Sequence, residues 1–317
     1  MSTLKIPDPV PTPVEDCQKL KKAFVGLGTD EASIINVLSH RNASQRKLIR
    51  QTYAEKYGED LLIDLQKEIS GDFERAVHLW TIDPIERDIL LATEAINKKK
   101  NNIAGHYVIM EIACTRTSHE LFLVRQSYMS RFSTTLEEDV AHRSTGDFRK
   151  FLVPLVTAYR YEGPEINMTL AKSEAKTLHE KISSKAYNHD EFIRILTTRS
   201  KPQINATLNQ YKDQFGKSIN KVIKQKAVGD EFLKFLRAII KCLTLPQKYF
   251  EKALRLSMKG LGTDEEVLTR VVITRADVDM KQIMEEYQRR NTESLEIAVK
   301  GDTSGDYQTM LLSLIGC

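Results

Sequence analysis

Cysteine is scarce in this chain, and long apolar runs are missing from it. The four scattered cysteines are too few for a disulfide scaffold, and they lack the paired spacing of a zinc site. Without about 18 consecutive apolar residues, a transmembrane helix is not expected. The N-terminal residues also lack the charged and then apolar layout of a secretory signal. These absences predict an intracellular, cytoplasmic protein.

Neither sign of charge dominates. The 317 residues include 47 Lys or Arg and 43 Asp or Glu, which gives a formal net charge of +4. That surplus suits an acidic membrane surface but is too small for nucleic acid binding, so we expect no nucleic acid partner. Composition alone leaves the function open.

A pattern of Arg, Tyr and Gly-Asp occurs four times in the same register. In each copy the Tyr stands twelve residues after the Arg, and the Gly-Asp pair begins thirty residues after the same Arg. The copies begin at Arg41, Arg116, Arg199 and Arg275. Register without slippage predicts one structural unit repeated four times. Because all copies share these residues, we interpret them as scaffold rather than as a unique active site.

Apolar residues within a copy recur at helical spacing, as at Ile34 and Leu38 or at Leu61 and Leu65. Signals for strands are nearly absent. Asn42 is predicted to cap the start of a helix, and Gly71 to end one. About five short helices per copy follow, which predicts an all-α fold of about twenty helices.

The copies are 75, 83 and 76 residues apart, and the surplus lies between the second and the third. It coincides with a turn-like linker that contains Gly163 and Pro164. We expect the molecule to divide there into two pairs of repeats. The predicted segments are a tail at 1–13, repeats at 14–85 and 86–160, a linker at 161–167, and repeats at 168–241 and 242–317.

Only the first and fourth copies contain the stretch Gly-x-Gly-Thr-Asp-Glu, which begins at Gly26 and at Gly260. Such a turn lets the backbone curl and point carbonyl oxygens at one spot, which suits Ca²⁺. A carboxylate is needed to balance the charge of the ion. An acidic residue stands forty-two positions after the first glycine in both copies, Glu68 and Asp302.

The second and third copies have lost both features. Asn101 and Ser184 replace the first glycine, while Arg143 and Lys226 replace the acid. The alternative is that the stretch is only a turn between two helices, with acidic residues favoured at the N-terminus of the second helix. That interpretation would explain the loop by itself. It would not explain why the acid changes in step with the loop. The coupled loss predicts that loop and acid bind one ligand.

With these motifs, the chain after its proline-rich lead-in resembles the annexin family. It is similar to plant annexins in particular, because the first and fourth repeats keep the motif and the tail is short. The resemblance implies four repeats of five helices in a slightly curved disc. It also implies a protein that is not an enzyme and that binds acidic phospholipid membranes peripherally, from the cytosol, when Ca²⁺ rises.

The resemblance further implies specific residues. The primary Ca²⁺ ligands are the backbone carbonyls of Phe24, Gly26 and Gly28 with the Glu68 carboxylate, and those of Met258, Gly260 and Gly262 with Asp302. The secondary metal ligands are Thr29, Glu31, Thr263 and Glu265. The loop residues expected to contact the membrane are Val25, Leu27, Lys259 and Leu261.

One carboxylate per Ca²⁺ predicts weak binding and open coordination positions, which lipid phosphate oxygens can fill. Lipid and Ca²⁺ must then tighten each other's binding by the same factor. Two such sites on one body add avidity. If Arg143 and Lys226 lie on the same face of the protein as the two sites, they are expected to give residual lipid binding without Ca²⁺.

The alternative from another class is a helical-repeat scaffold that binds protein partners such as F-actin, with Ca²⁺ structural only. Plant annexins are also similar in holding two nearby cysteines with suspected redox chemistry, which implies such a role for Cys114 and Cys242. Two small buried hydrophobic side chains are the other interpretation of that pair. A peroxidase-like role of His40, nucleotide hydrolysis at the Asp-x-x-Gly stretch from Asp302, ion conduction and the oligomeric state stay open.

Overall fold

The structure is a computed structural model, and it describes residues 1–26, 28–98, 102–260 and 262–317. Those residues form twenty α-helices and no strand, so the predicted all-α class is confirmed. Each of these helices is too short or too polar to cross a bilayer.

The helices fall into four groups of five. The first group is α1 Pro13–Ala23, α2 Glu31–Leu38, α3 Ala43–Tyr57, α4 Leu61–Glu68 and α5 Gly71–Thr81. The second is α6 Pro84–Asn97, α7 Ile103–Thr115, α8 Ser118–Phe132, α9 Leu136–Arg143 and α10 Gly146–Thr157. The third is α11 Met168–Ser183, α12 Asp190–Thr198, α13 Lys201–Phe215, α14 Ile219–Lys226 and α15 Glu231–Thr244. The fourth is α16 Pro246–Ser257, α17 Glu265–Arg275, α18 Met280–Arg290, α19 Leu295–Asp302 and α20 Gly305–Leu314.

Helix starts follow the capping signals of the sequence. Asn42 caps α3 as predicted: its side chain accepts the Gln45 N–H at 2.9 Å, and the Gln45 side chain accepts the Asn42 N–H at 2.8 Å. The same reciprocal pair of hydrogen bonds begins α1, α8 and α9. These bonds satisfy backbone N–H groups that a helix leaves without partners in its first turn.

The shared glycine of each Gly-Asp pair has a conformational cause. Gly71, Gly146, Gly229 and Gly305 have φ values of 66°, 55°, 76° and 62°. This left-handed region is readily open to glycine alone. The prediction that Gly71 ends a helix is wrong, however, because α4 ends at Glu68 and Gly71 is the first residue of α5.

Three helices end in a left-handed residue five positions after the shared tyrosine. Gly58 ends α3 with a φ of 68°, and Gly216 ends α13 with a φ of 72°. Ser133 holds the same position after α8 with a φ of 58°. Because serine has a Cβ atom, Ser133 carries backbone strain that its glycine counterparts avoid.

The four shared arginines are scaffold residues, as predicted. Each guanidinium forms an ion pair with a carboxylate of its own repeat, at 2.5–2.7 Å between nitrogen and oxygen. The pairs are Arg41 with Asp16, Arg116 with Asp88, Arg199 with Glu174, and Arg275 with Asp279. Five of these eight residues are 0–4% exposed, which is typical of a structural network.

The chain forms two compact units, and they pair the repeats differently from the sequence prediction. One unit contains residues 1–87 and 247–317, and the other contains residues 88–246. The first repeat therefore packs with the fourth, and the second packs with the third. The expected division at the linker is wrong, because the residues between α10 and α11 connect two repeats of the same unit.

In the first unit, α5 packs against α17 and α20, so helices from both ends of the chain form one core. Trp80 is fully buried there and donates its indole N–H to the Leu38 carbonyl at 2.8 Å. The N-terminal tail also joins the fourth repeat. Thr3 donates its N–H to the Ala276 carbonyl at 3.0 Å and its hydroxyl to the Leu314 carbonyl at 2.7 Å.

Candidate calcium sites in the first and fourth repeats

The loop between α1 and α2 is built around two glycines in unusual conformations. Phe24 ends α1, and the Val25 N–H still donates to the Lys22 carbonyl at 3.2 Å. Gly26 and Gly28 then have φ values of 131° and 98°. A Cβ atom added at either glycine would meet nothing within 4 Å. Backbone conformation rather than space therefore requires glycine at both positions.

The loop between α16 and α17 repeats this geometry. Gly260 and Gly262 have φ values of 116° and 94°. Asp264 donates its N–H to the Ser257 carbonyl at 2.7 Å, as Asp30 in the first loop does to the Ala23 carbonyl at 3.0 Å. The two loops thus share one conformation across the described residues. The two residues between the glycines, Leu27 and Leu261, lie outside the part of the chain that the structure describes.

Each loop is tied to its predicted acid by a threonine hydroxyl. Thr29 donates to the Glu68 carboxylate at 3.0 Å and lies 3.2 Å from the Glu68 carbonyl. Thr263 donates to the Asp302 carbonyl at 3.0 Å and lies 3.4 Å from its carboxylate. Segments about forty residues apart in sequence therefore meet in both repeats. Sequence reasoning assigned these threonines only to a secondary site and missed this connection, although their constant distance from the acid signals it.

The other acidic residues of the loops have local structural roles. The Asp30 carboxylate accepts the Ser33 N–H at 3.0 Å, and the Asp264 carboxylate accepts the Val267 N–H at 3.1 Å. Both therefore cap the following helix. Glu31 and Glu265, the predicted secondary ligands, are the first residues of α2 and α17.

The loops differ in how they present apolar and charged side chains. Val25 is 73% exposed. Its counterpart in the fourth repeat, Lys259, is also exposed. Both side chains are therefore accessible to a surface that approaches the loops.

The donor atoms at these loops suit a hard cation. Among the described residues, three or more His, Cys, Asp or Glu side chains nowhere come together as a metal site. Each loop contacts one distant acid, while Asp30 and Asp264 cap the following helices, so a metal there would depend mainly on backbone oxygens. An all-oxygen donor set of carbonyls with one carboxylate fits Ca²⁺ better than a transition metal.

Among the residues that the structure describes, the second and third repeats show no such pairing of loop and acid. Arg143 is the last residue of α9 and is exposed, whereas Asn101 lies outside the described residues. Ser184 caps the end of α11, and Lys226 ends α14.

The two cysteines assigned to a redox role lie together in the second unit. Cys114 on α7 and Cys242 on α15 are 0% and 1% exposed, and their thiols are hydrogen-bonded. Burial raises the pKa of the Cys114 thiol. The bond with Cys242 and the positive charges of Arg160 and Lys201 outweigh this effect, so the pKa falls below its ordinary value. By contrast, burial raises the pKa of Cys17 to about 11.

His40 has a local role. Its Nδ1 atom lies 3.0 Å from the Asn36 carbonyl and 3.0 Å from the Ser39 hydroxyl. These contacts fit a residue that packs at the end of α2.

Comparisons with known proteins agree with this fold. The sequence model of a family described as Annexin matches residues 15–80, 104–155, 173–239 and 249–314. The chain is similar to Annexin Gh1 of Gossypium hirsutum, with 59% identity over 315 residues and 99% of each chain covered. It is 56% identical to Annexin D2 of Arabidopsis thaliana over 317 residues, which cover 100% of this chain and 99% of that one.

Solved structures are similar as well. Annexin III has a TM-score of 0.91 with 32% identity, and the match covers 100% of this chain and 97% of that one. A calcium-bound annexin (Sm)1 has a TM-score of 0.87 with 28% identity, covering 100% of this chain and 93% of that one.

Proposed function

The chain belongs to the annexin family, and we propose that it binds acidic phospholipid membranes through one Ca²⁺ ion at its first loop and one at its fourth. Annexins as a family are Ca²⁺-dependent phospholipid-binding proteins and are generally not enzymes. The observation that carries the proposal for this chain is the repeated contact of loop threonine and distant acid. It occurs in the two repeats that keep the glycines.

Each proposed ion takes backbone carbonyl oxygens and one carboxylate. In the first repeat the carbonyls of Phe24, Gly26 and Gly28 and the Glu68 carboxylate are the ligands. In the fourth repeat they are the carbonyls of Met258, Gly260 and Gly262 and the Asp302 carboxylate. The left-handed glycines support this assignment, because they turn successive carbonyls out of helical alignment. Thr29, Glu31, Thr263 and Glu265 remain the proposed secondary ligands.

Lipid phosphate oxygens complete the coordination. A single carboxylate leaves Ca²⁺ with a positive charge and with open positions among the six to eight that it usually fills. An acidic headgroup supplies both oxygen and negative charge. Because binding is linked, the lipid raises the affinity for Ca²⁺ by the factor with which Ca²⁺ raises the affinity for lipid.

Both loops belong to the same compact unit, and this supports a bivalent interaction. After one loop has bound, the other is already at high local concentration relative to the bilayer. Val25 and Lys259 add to the contact in the proposal. The apolar side chain enters the interface, and the ammonium meets an acidic headgroup for about 1 kcal/mol. Leu27 and Leu261 remain predicted contacts. The protein would act peripherally at cytosolic membrane faces as Ca²⁺ rises.

Co-sedimentation with vesicles tests the proposal. The parent should pellet with phosphatidylserine vesicles in Ca²⁺, but not in chelator and not with phosphatidylcholine vesicles. Glu68→Gln and Asp302→Asn together should abolish pelleting, and each alone should raise the Ca²⁺ requirement. Glu180→Gln with Asp213→Asn removes the same charge from exposed positions of the third repeat and should leave binding unchanged. If the site variant pelleted at the Ca²⁺ concentration of the parent, the ligand assignment would be wrong.

The buried thiol pair supports a second activity, oxidation to a disulfide. Peroxide would accept two electrons from the Cys114 and Cys242 thiols, so that one S–S bond forms, the two thiol hydrogens leave and two water molecules result. Mass spectrometry after peroxide treatment should find this disulfide, and Cys114→Ser should prevent it. Cys17, whose pKa is raised, should stay reduced at the same dose. A protein in which both thiols of the pair survive that dose would contradict this assignment.

A further inference from the structure

The internal repeat identifies a counterpart of the calcium ligands in the third repeat. Glu68 stands 44 residues after Phe24, and Asp302 stands 44 residues after Met258. In the third repeat the same separation joins Ile182 and Lys226. The Ile182 carbonyl is therefore the counterpart of the carbonyls proposed to bind Ca²⁺, and Lys226 stands in place of the acid.

These two residues are in direct contact. The Lys226 ammonium donates a hydrogen bond to the Ile182 carbonyl oxygen at 3.0 Å. Ile182 lies in the last turn of α11, where the carbonyl groups have no partners further along the helix. A positive charge at this end of a helix is also favoured by the helix dipole. The contact therefore gives the carbonyl what a metal ion would give it, a nearby positive charge.

The loop around this contact is ordered without a Gly-x-Gly sequence. Ser184 donates its N–H to the Glu180 carbonyl at 3.0 Å, and Ala186 donates to the Lys181 carbonyl at 2.8 Å. Lys185 donates to the Ile182 carbonyl at 3.2 Å and has a φ of 58°. Ile182 thus accepts both from the loop backbone and from the Lys226 ammonium.

We propose that the Lys226 ammonium is a tethered cation of the third repeat, which takes the place of Ca²⁺ and holds the loop at residues 183–188 closed without metal. The comparison with Ca²⁺ rests on the proposed function, whereas the closing of the loop by Lys226 does not. The carboxylate and the ion have been replaced together by one side chain. The third loop should therefore keep its conformation at every Ca²⁺ concentration, unlike the first and the fourth.

Hydrogen–deuterium exchange of the full chain in chelator tests this inference. The reporters are the hydrogen-bonded amides of residues 184–186. Lys226→Gln should speed their exchange about fivefold, the effect of losing one charge-assisted hydrogen bond at a partly exposed site. Lys226→Glu should speed it further, because a carboxylate repels the carbonyl oxygen. Lys226→Arg should stay near the parent. Lys224→Gln, an exposed change two residues earlier on α14, is the matched control.

The outcomes separate this inference from the proposed function. If Lys226→Gln exchanged at residues 184–186 as slowly as the parent, the proposed role of Lys226 would be wrong. It would also be wrong if Lys224→Gln sped up exchange there by the same factor. In the parent, Ca²⁺ with phosphatidylserine vesicles should slow exchange at residues 24–30 and 258–264 and leave residues 184–186 unchanged. Protection of residues 184–186 by Ca²⁺ would also overturn the inference. Absence of protection in the other two loops would instead count against the proposed function.

Discussion

Removal of the Thr29 hydroxyl should weaken the first calcium site without touching any of its proposed primary ligands. This hydroxyl donates to the Glu68 carboxylate at 3.0 Å and so fixes its direction relative to the loop. Thr29→Val keeps the shape of the side chain and removes the donor. Thr29→Ser keeps the donor and should restore binding.

The size of the effect follows from the geometry. Loss of a partner that orients a metal ligand typically costs 10- to 100-fold in metal affinity. Glu68 is only half-buried, so we expect the lower end, about tenfold. In the fourth repeat Thr263 lies 3.4 Å from the Asp302 carboxylate, beyond the usual range for a hydroxyl donor. Thr263→Val should therefore cost about threefold or less.

The assay isolates one loop at a time. In an Asp302→Asn background only the first loop binds, and Ca²⁺-titrated pelleting with phosphatidylserine vesicles gives its midpoint. Thr29→Val should raise that midpoint about tenfold, and Thr29→Ser should return it to that of the background. A midpoint unchanged by Thr29→Val would refute the argument that the threonine orients the acid.

Three further predictions concern stability and pH. Ser133→Gly should stabilise the protein by about 0.5–1 kcal/mol in urea unfolding, since glycine relieves a φ of 58°; an unchanged midpoint would contradict the strain. Burial alone would raise the pKa of Asp64, but hydrogen bonds from Tyr53 and Lys67 help to lower it to about 2. Its stabilisation of about 2 kcal/mol is then present above about pH 4 and lost toward pH 2, so Asp64→Asn should flatten acid unfolding in that range. His106 is buried, its ring nitrogens meet no hydrogen-bond partner among the described residues, and burial lowers its pKa. Stability should therefore fall as pH drops below about 6.5. His106→Phe should remove this pH dependence and add about 1 kcal/mol of stability at neutral pH. If the variant kept the same pH dependence, another group would be its cause.

Much of the fold could be predicted because its signals are local. Asn42 with Gln45 begins a helix through hydrogen bonds within four residues, and sequence alone suffices to find such a pair. The fourfold register likewise revealed the repeats and the glycines of the two loops. The prediction that Gly71 ends a helix was wrong because a residue with positive φ can stand either just after one helix or at the start of the next. Which of the two positions Gly71 occupies depends on how α4 and α5 meet.

Partners in space were less predictable, even where positions repeat. Arg41 and Arg199 each pair with an acid 25 residues earlier, whereas Arg275 pairs with Asp279, four residues later. The repeated position fixed the role of the arginine but not the identity of its partner. An arginine side chain reaches several acids, and helix packing selects among them.

The sequence by itself determined the helical class, the fourfold repeat and the pairs of loop and acid that distinguish two repeats from the others. Only the tertiary structure decided that the first repeat packs with the fourth, so that both candidate sites belong to one unit. It also decided that Thr29 holds Glu68 and that Lys226 binds the Ile182 carbonyl. The physical reason is that spacing along a chain encodes hydrogen bonds within a few residues. Contacts between distant segments depend on how apolar helix faces pack and on how far each side chain reaches.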